Sequence, residues 1–131
     1  MAGPVLVSNL VSNTGVVASD TAIVGTARQN LKACSYGEDK GIFGFGWYPA
    51  AGSTSMTNLV SNTGVIASDT AGVGTARNDL GACEYGGDKG IFGYGSGYTA
   101  ITNLVSNAGV VASDTAGVGT GRKGVAACSF N

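Results

Sequence analysis

The sequence predicts an all-β fold built from tandem repeats, and three observations carry that prediction. Asn9-Leu10-Val11-Ser12-Asn13-Thr14-Gly15 returns as Asn58 to Gly64 and again as Asn103 to Gly109, 49 residues on (9 to 58) and then 45 (58 to 103). Apolar residues come in short alternating runs, and no window sustains the apolar period of a helix. Gly, Asn and Asp punctuate those runs, and 23 glycines supply the positive-φ positions that tight hairpins need.

Each repeat reads as four short strands, a to d. Strand a is Ala33-Cys34-Ser35-Tyr36, matched by Ala82 to Tyr85 and Ala127 to Phe130. Alternation puts Cys and the aromatic on one face and Ala with Ser or Glu on the other. A Gly-Glu-Asp-Lys or Gly-Gly-Asp-Lys turn leads into strand b, Gly41-Ile42-Phe43-Gly44-Phe45-Gly46. A loop precedes strand c, Thr57-Asn58-Leu59-Val60-Ser61, and an Asn-Thr-Gly turn leads on to strand d, Val65-Ile66-Ala67-Ser68-Asp69. Residues 8–46 and 57–95 differ at nine of 39 positions, so the repeat is a structural unit. The length difference between repeats falls wholly in 47–56 against 96–101, which marks that loop as surface.

Three four-stranded repeats of roughly 45 residues, starting near 9, 58 and 103 in one domain over 1–131, suit β-propeller-like blades. A closed β-trefoil and a three-sheet β-prism are the alternatives. The order of strands is c-d, a-b-c-d, a-b-c-d, a, so the last repeat is incomplete. Strand edges left at 5–12 and 125–130 invite pairing with another chain. The expectation is a homo-oligomer, with a dimer forming a six-blade ring as the first guess; its junctions lack strand b unless residues 1–6 supply it.

Thr-Ala-Arg at 26–28 and 75–77, an apolar strand, and then Ile-Phe-Gly-Phe or Ile-Phe-Gly-Tyr resemble the kelch blade pattern. The chain departs from that pattern in carrying Gly-x-Gly where kelch has paired glycines, and its one Trp lies in the variable loop. Over residues 8–131 the block resembles tandem repeats of marine bacteriophage structural and hypothetical proteins. That resemblance implies a virion component and brings no activity with it.

Composition excludes several function classes. There is no histidine, which removes Ser-His-Asp and Cys-His catalysis and His-ligated zinc. Seven basic against eight acidic residues leave no clustered positive charge for nucleic acid. No signal peptide or membrane span is expected, and localisation is left open, with a virion the expectation from the resemblance. Gly119-Thr120-Gly121-Arg122-Lys123-Gly124 fits a dinucleotide fingerprint formally, but no helix follows it.

Candidate residues fall into three sets. Asp20, Asp69 and Asp114 each precede Arg28, Arg77 and Arg122 by eight residues, and repetition favours structural braces between repeats over an anion site. Cys34, Cys83 and Cys128 recur once per repeat; without CxxC spacing they read as small buried hydrophobes rather than a thiolate metal site. Trp47 and Tyr48, with Tyr98 in the equivalent loop, break the repeat and are the binding candidates, since exposed aromatics stack on sugars or anchor interfaces. No catalytic residue, metal or cofactor is expected. The functional expectation is a non-catalytic structural or interaction module that partners itself, and beyond that other virion proteins or surface glycans. The alternative is a glycan-binding lectin with shallow sites at the b–c loops.

Overall fold

The computed structural model describes residues 3–130. They are all-β: ten short strands form four small antiparallel sheets, with no helix among the described residues. β1 (Val7–Ser8) pairs with β2 (Thr21–Ala22). β3 (Lys32–Tyr36) and β4 (Lys40–Gly44) form a hairpin; after β5 (Trp47–Tyr48) and β6 (Gly52–Ser53) make a hairpin of their own, β7 (Thr57–Val60) adds to β4. The next repeat rebuilds the same sheet from β8 (Gly81–Tyr85), β9 (Lys89–Gly93) and β10 (Thr102–Val105). In these two sheets strands a, b and c exist in the expected order. The third strand a expected at 127–130 is not a strand, and the first strand c is reduced to Val7–Ser8 and an isolated bridge from Val11 to Val17, because neither has a full sheet beside it to pair with.

Two boundaries differ from expectation. Strand b stops at Gly44 because Phe45 has φ 62°, and Tyr94 repeats this with φ 64°. A bulky residue in the left-handed region turns the chain out of the ladder. Strand d is not a strand. Residues 65–70 meet strand c through isolated bridges, Val60 to Ile66 and Thr57 to Thr70, rather than a continuous ladder. The reason is polar competition: Asn58 Nδ2 donates to Ala67 O at 3.2 Å and to Asp69 Oδ1 at 2.8 Å, so side chains replace part of the ladder. The turn before it is as expected, with Gly15, Gly64 and Gly109 at φ 80°, 82° and 80°.

The two full sheets stack face to face, closest where β3 crosses β8 and β9. Alternation along β3 points Cys34 and Tyr36 toward the following repeat, and Tyr36 is only 4% exposed. The core is the seam between these sheets: Tyr36, Ile42 and Phe45 from one side meet Leu80, Phe92 and Val105 from the other. The Phe45 and Phe92 rings lie tilted with centroids 5.1 Å apart, a favourable aromatic geometry. Gly44 permits this approach, since a Cβ there would stand 2.8 Å from Phe92 Cζ.

Residues 5–12 and 125–130 do not meet in a shared ladder. Ile23 N donates to Leu6 O at 3.3 Å, so Leu6 belongs to the first partial repeat, and Gly124 N donates to Asp79 O at 2.7 Å. The suggestion that residues 1–6 supply a b strand is set aside for Leu6; residues 1 and 2 lie outside the described ones.

Candidate functional site

The densest constellation of charged and amide side chains lies between repeats. Arg77 sits in the connection from the sheet of β3, β4 and β7 to the sheet of β8, β9 and β10. Its Nη2 donates to Asn103 Oδ1 at 2.6 Å, its Nε to Tyr94 O at 2.9 Å, and its Nη1 to Thr75 O at 3.1 Å. The guanidinium also covers the Phe45 ring at 4.7 Å, so one side chain grips both sheets. Nearby, Thr75 Oγ1 donates to Asp114 Oδ2 and Thr75 N donates to Asp114 Oδ1, while Asn103 Nδ2 donates to the same carboxylate at 2.9 Å. Gly74, at φ 84°, brings this loop against Asp114 and Asn103; any side chain there would collide with both.

The same clasp occurs one repeat earlier. Arg28 Nη2 donates to Asn58 Oδ1 at 2.7 Å, and Thr26 holds Asp69 through its N and Oγ1. Arg28 Nη1 stands 3.6 Å from Asp69 Oδ1, and Arg77 Nη1 stands 3.8 Å from Asp114 Oδ1. The pairing thus runs from each Arg to the Asp of the following repeat. The Asp eight residues upstream is not the partner, because Asp69 and Asp114 are turned inward by Asn58 and Asn103 to meet the preceding Thr-x-Arg. Burial lowers the pKa of both Arg28 and Arg77, opposed by the facing Asp. Burial raises the Asp69 carboxyl, and the Asn58 and Thr26 hydrogen bonds together outweigh it, leaving it below its ordinary value. At Asp114 the Thr75 and Asn103 hydrogen bonds dominate and hold it low.

At the two ends of the described chain the clasp is half made. Asn9 Nδ2 donates to Asp20 Oδ1 at 2.8 Å, the same internal bond as in the other repeats, but no Arg or Thr reaches this exposed pair among the described residues. Arg122 covers the Tyr94 ring at 4.4 Å and donates to Thr120 O at 2.9 Å, but it is exposed and has no Asn or Asp opposite among the described residues. Arg28 has the converse lack. Its side chain is 2% exposed, and its Nε is a buried polar atom without a hydrogen-bond partner among the described residues. Three grooves follow the same logic. One of about 370 Å³ lies beside Arg28, Leu31 and Phe43; one of about 160 Å³ lies beside Ile91, Gly93, Tyr94 and Arg122; one of about 220 Å³ separates Leu59 from Val111.

The aromatic candidates do not converge. Trp47 and Tyr48 are half-buried, and Trp47 pairs with Gln29 through two backbone hydrogen bonds of 2.9 Å. Tyr98 is 67% exposed, with Lys123 Nζ 5.4 Å from its ring centroid. None of the three lines any of the grooves above. Cys34 and Cys83 are only half-buried and Cys128 is exposed, so the repeated cysteines are not the buried hydrophobes expected. Burial pushes the Cys34 thiol up to about 11, with Cys83 adding to it, and burial likewise raises Cys83, with Cys128 adding. Protonated thiols of this kind are poor ligands and nucleophiles. Among the described residues no group of three His, Cys, Asp or Glu side chains is placed to hold a metal ion.

What the sequence reading missed is the Asn. Asn9, Asn58 and Asn103 open the repeated block, and an amide conserved in place across three repeats at the start of a strand signals a buried hydrogen-bonding role. Comparison with protein-family models and with curated proteins returns no match for this chain.

Proposed function

We propose that this chain is a non-catalytic structural module whose propeller-like repeats continue from copy to copy, forming a homo-oligomer. The observation that carries this reading is the clasp between repeats, in which Arg28 and Arg77 each hold the Asn and Asp of the repeat that follows. The Arg122 end presents Thr120 and a guanidinium over an aromatic ring, and the Asn9–Asp20 end presents the amide and carboxylate that such a loop holds elsewhere. Charge, hydrogen bonding and repeat geometry are complementary. The close approach of β3 to β8 and β9 supports blades in an arc, and a two-chain ring is the simplest closure. That Arg77, Asp69 and Asp114 are spent on one another and on the amides between repeats rather than lining a groove supports a non-enzymatic role. A place in a phage particle rests on the resemblance of residues 8–131 to marine phage repeats.

Light scattering on the purified chain is the test. The expected mass is a multiple of 12.9 kDa at micromolar concentration, and a monodisperse 12.9 kDa species overturns the reading. One observation favours the second reading, a lectin: the Tyr98 ring is exposed in a b–c loop. Reproducible glycan-array binding that Tyr98→Ala abolishes would establish it.

A further inference from the structure

Each of the two clasps inside the chain sets one carboxylate against one buried guanidinium, and the carboxylate is the member that solvent reaches. The Arg28 and Arg77 side chains are 2% and 1% exposed, whereas those of Asp69 and Asp114 are 30% and 31% exposed. The hydrogen bonds at both carboxylates come from donors. Asp114 Oδ1 accepts from Thr75 N at 3.0 Å and Asn103 Nδ2 at 2.9 Å, and its Oδ2 accepts from Thr75 Oγ1 at 2.6 Å. Asp69 Oδ1 accepts from Thr26 N at 3.2 Å and Asn58 Nδ2 at 2.8 Å, and its Oδ2 accepts from Thr26 Oγ1 at 2.7 Å. The charged groups facing these carboxylates are Arg28 and Arg77, and Tyr48 is a further titratable group beside Arg28. A proton on Oδ2 can be donated to the Thr hydroxyl, so the neutral acid still fits. What it loses is charge: the remaining bonds drop to neutral strength, and the guanidinium loses its counter-ion.

We propose that these clasps are an acid-sensitive latch between repeats: protonation of Asp69 and Asp114 strips the counter-charge from buried Arg28 and Arg77 and loosens the seam they close. Removing one member of a buried pair leaves the other charge uncompensated, which is the costly half of the exchange. Arg77 carries that charge at the core, because its guanidinium lies over Phe45 and its Nη2 is tied to buried Asn103. Solvating it requires water between the sheets. Both carboxyls are held below their ordinary value: at Asp69 burial pushes upward but the Asn58 and Thr26 bonds outweigh it, and at Asp114 the Thr75 and Asn103 bonds dominate. With the folded values below the unfolded one, the latch contributes fully above about pH 3.9. That contribution is lost as pH falls through the folded values. Asp39 and Asp88 give the contrast, since their Lys40 and Lys89 partners sit at solvated turns where neither charge is buried. The latch lies within one chain and operates whether or not copies assemble.

Urea unfolding of the full chain, followed by circular dichroism from about pH 7 down to about pH 2.5, tests this. The wild-type midpoint should hold to about pH 5 and fall below it. The double variant Asp69→Asn with Asp114→Asn keeps the side-chain size and an acceptor oxygen but has no charge to lose. Its midpoint should already be lowered at neutral pH, and its acid-induced fall should be less than half that of wild type. Asp39→Asn with Asp88→Asn should keep the wild-type fall. An acid fall as steep in the Asp69 and Asp114 variant as in wild type overturns the latch, as does a wild-type midpoint that stays level. Carbon-13 titration of the aspartate carboxyls in the unaltered protein covers the case in which the double variant does not fold. Asp69 and Asp114 should titrate below the ordinary value of about 3.9, and titration at or above it overturns the proposal. Asp20, the carboxylate offered to another copy, is untouched in every variant, so failure here leaves the assembly reading standing.

Discussion

Arg77 and Arg122 stand at equivalent places in consecutive repeats, each over an aromatic ring, yet one is 1% exposed and the other lies open to solvent. The difference comes from the neighbour. Arg77 has Asn103 and Asp114 opposite; Arg122 has nothing equivalent among the described residues. The same gradient runs through the other equivalent positions. Tyr36 is 4% exposed and Phe130 93%, Asn103 is fully buried and Asn9 exposed, Val105 is fully buried and Val11 62% exposed. A repeat in such an array has no burial of its own, and each face is buried only by the repeat beside it.

That contrast can be broken by mutation, most strongly at the seam. Phe92→Ala should cost about 3–5 kcal/mol in denaturant unfolding, because it empties a fully buried ring site between two sheets. Phe43→Ala, at the same strand position but half-buried in an open groove, should cost about 1–2 kcal/mol. Equal losses would mean that the seam is not the core. Arg77→Ala should cost about 3 kcal/mol, since it leaves the buried Asn103 Oδ1 without its donor and uncovers Phe45. Arg122→Ala should change monomer stability by no more than ~0.5 kcal/mol.

A pH dependence is expected at Cys34. Its thiol is raised to about 11 in the fold, whereas an exposed thiol ionises near ~8.5. The folded state therefore prefers the protonated form, so stability is full below the unfolded value and declines as pH rises toward the folded one. The unfolding midpoint of wild type should fall more steeply between those pH values than that of Cys34→Ala. Parallel curves would show that the thiol is not desolvated.

Much of this was legible in the sequence, and the exceptions have physical causes. The repeat and its turns located strands a, b and c of the two full sheets to within a residue or two, while the strand a expected at 127–130 does not form. Strand d escaped because Val65 to Asp69 alternates like a strand, while its hydrogen bonds are shared with the Asn58 side chain from a distance of nine residues or more. The Arg braces were legible as braces but not in their pairing. Each Arg28 or Arg77 lies between two equivalent aspartates, and only the stacking of sheets decides that the later one is the partner. Trp47 stood out by breaking the repeat, yet the backbone pair with Gln29 holds it in the connection instead of presenting it.

Head-to-tail continuation of the clasp is tested most directly by mixing two variants, each with one end disabled. Arg122→Ala removes the guanidinium end and Asp20→Lys reverses the carboxylate end. Each variant alone should scatter light as a single chain of about 12.9 kDa. Mixed, the intact Arg122 of one and the intact Asp20 of the other should form a one-to-one dimer and nothing larger. Variants that keep the wild-type oligomeric mass on their own, or a mixture that remains monomeric, would contradict a clasp that runs from chain to chain.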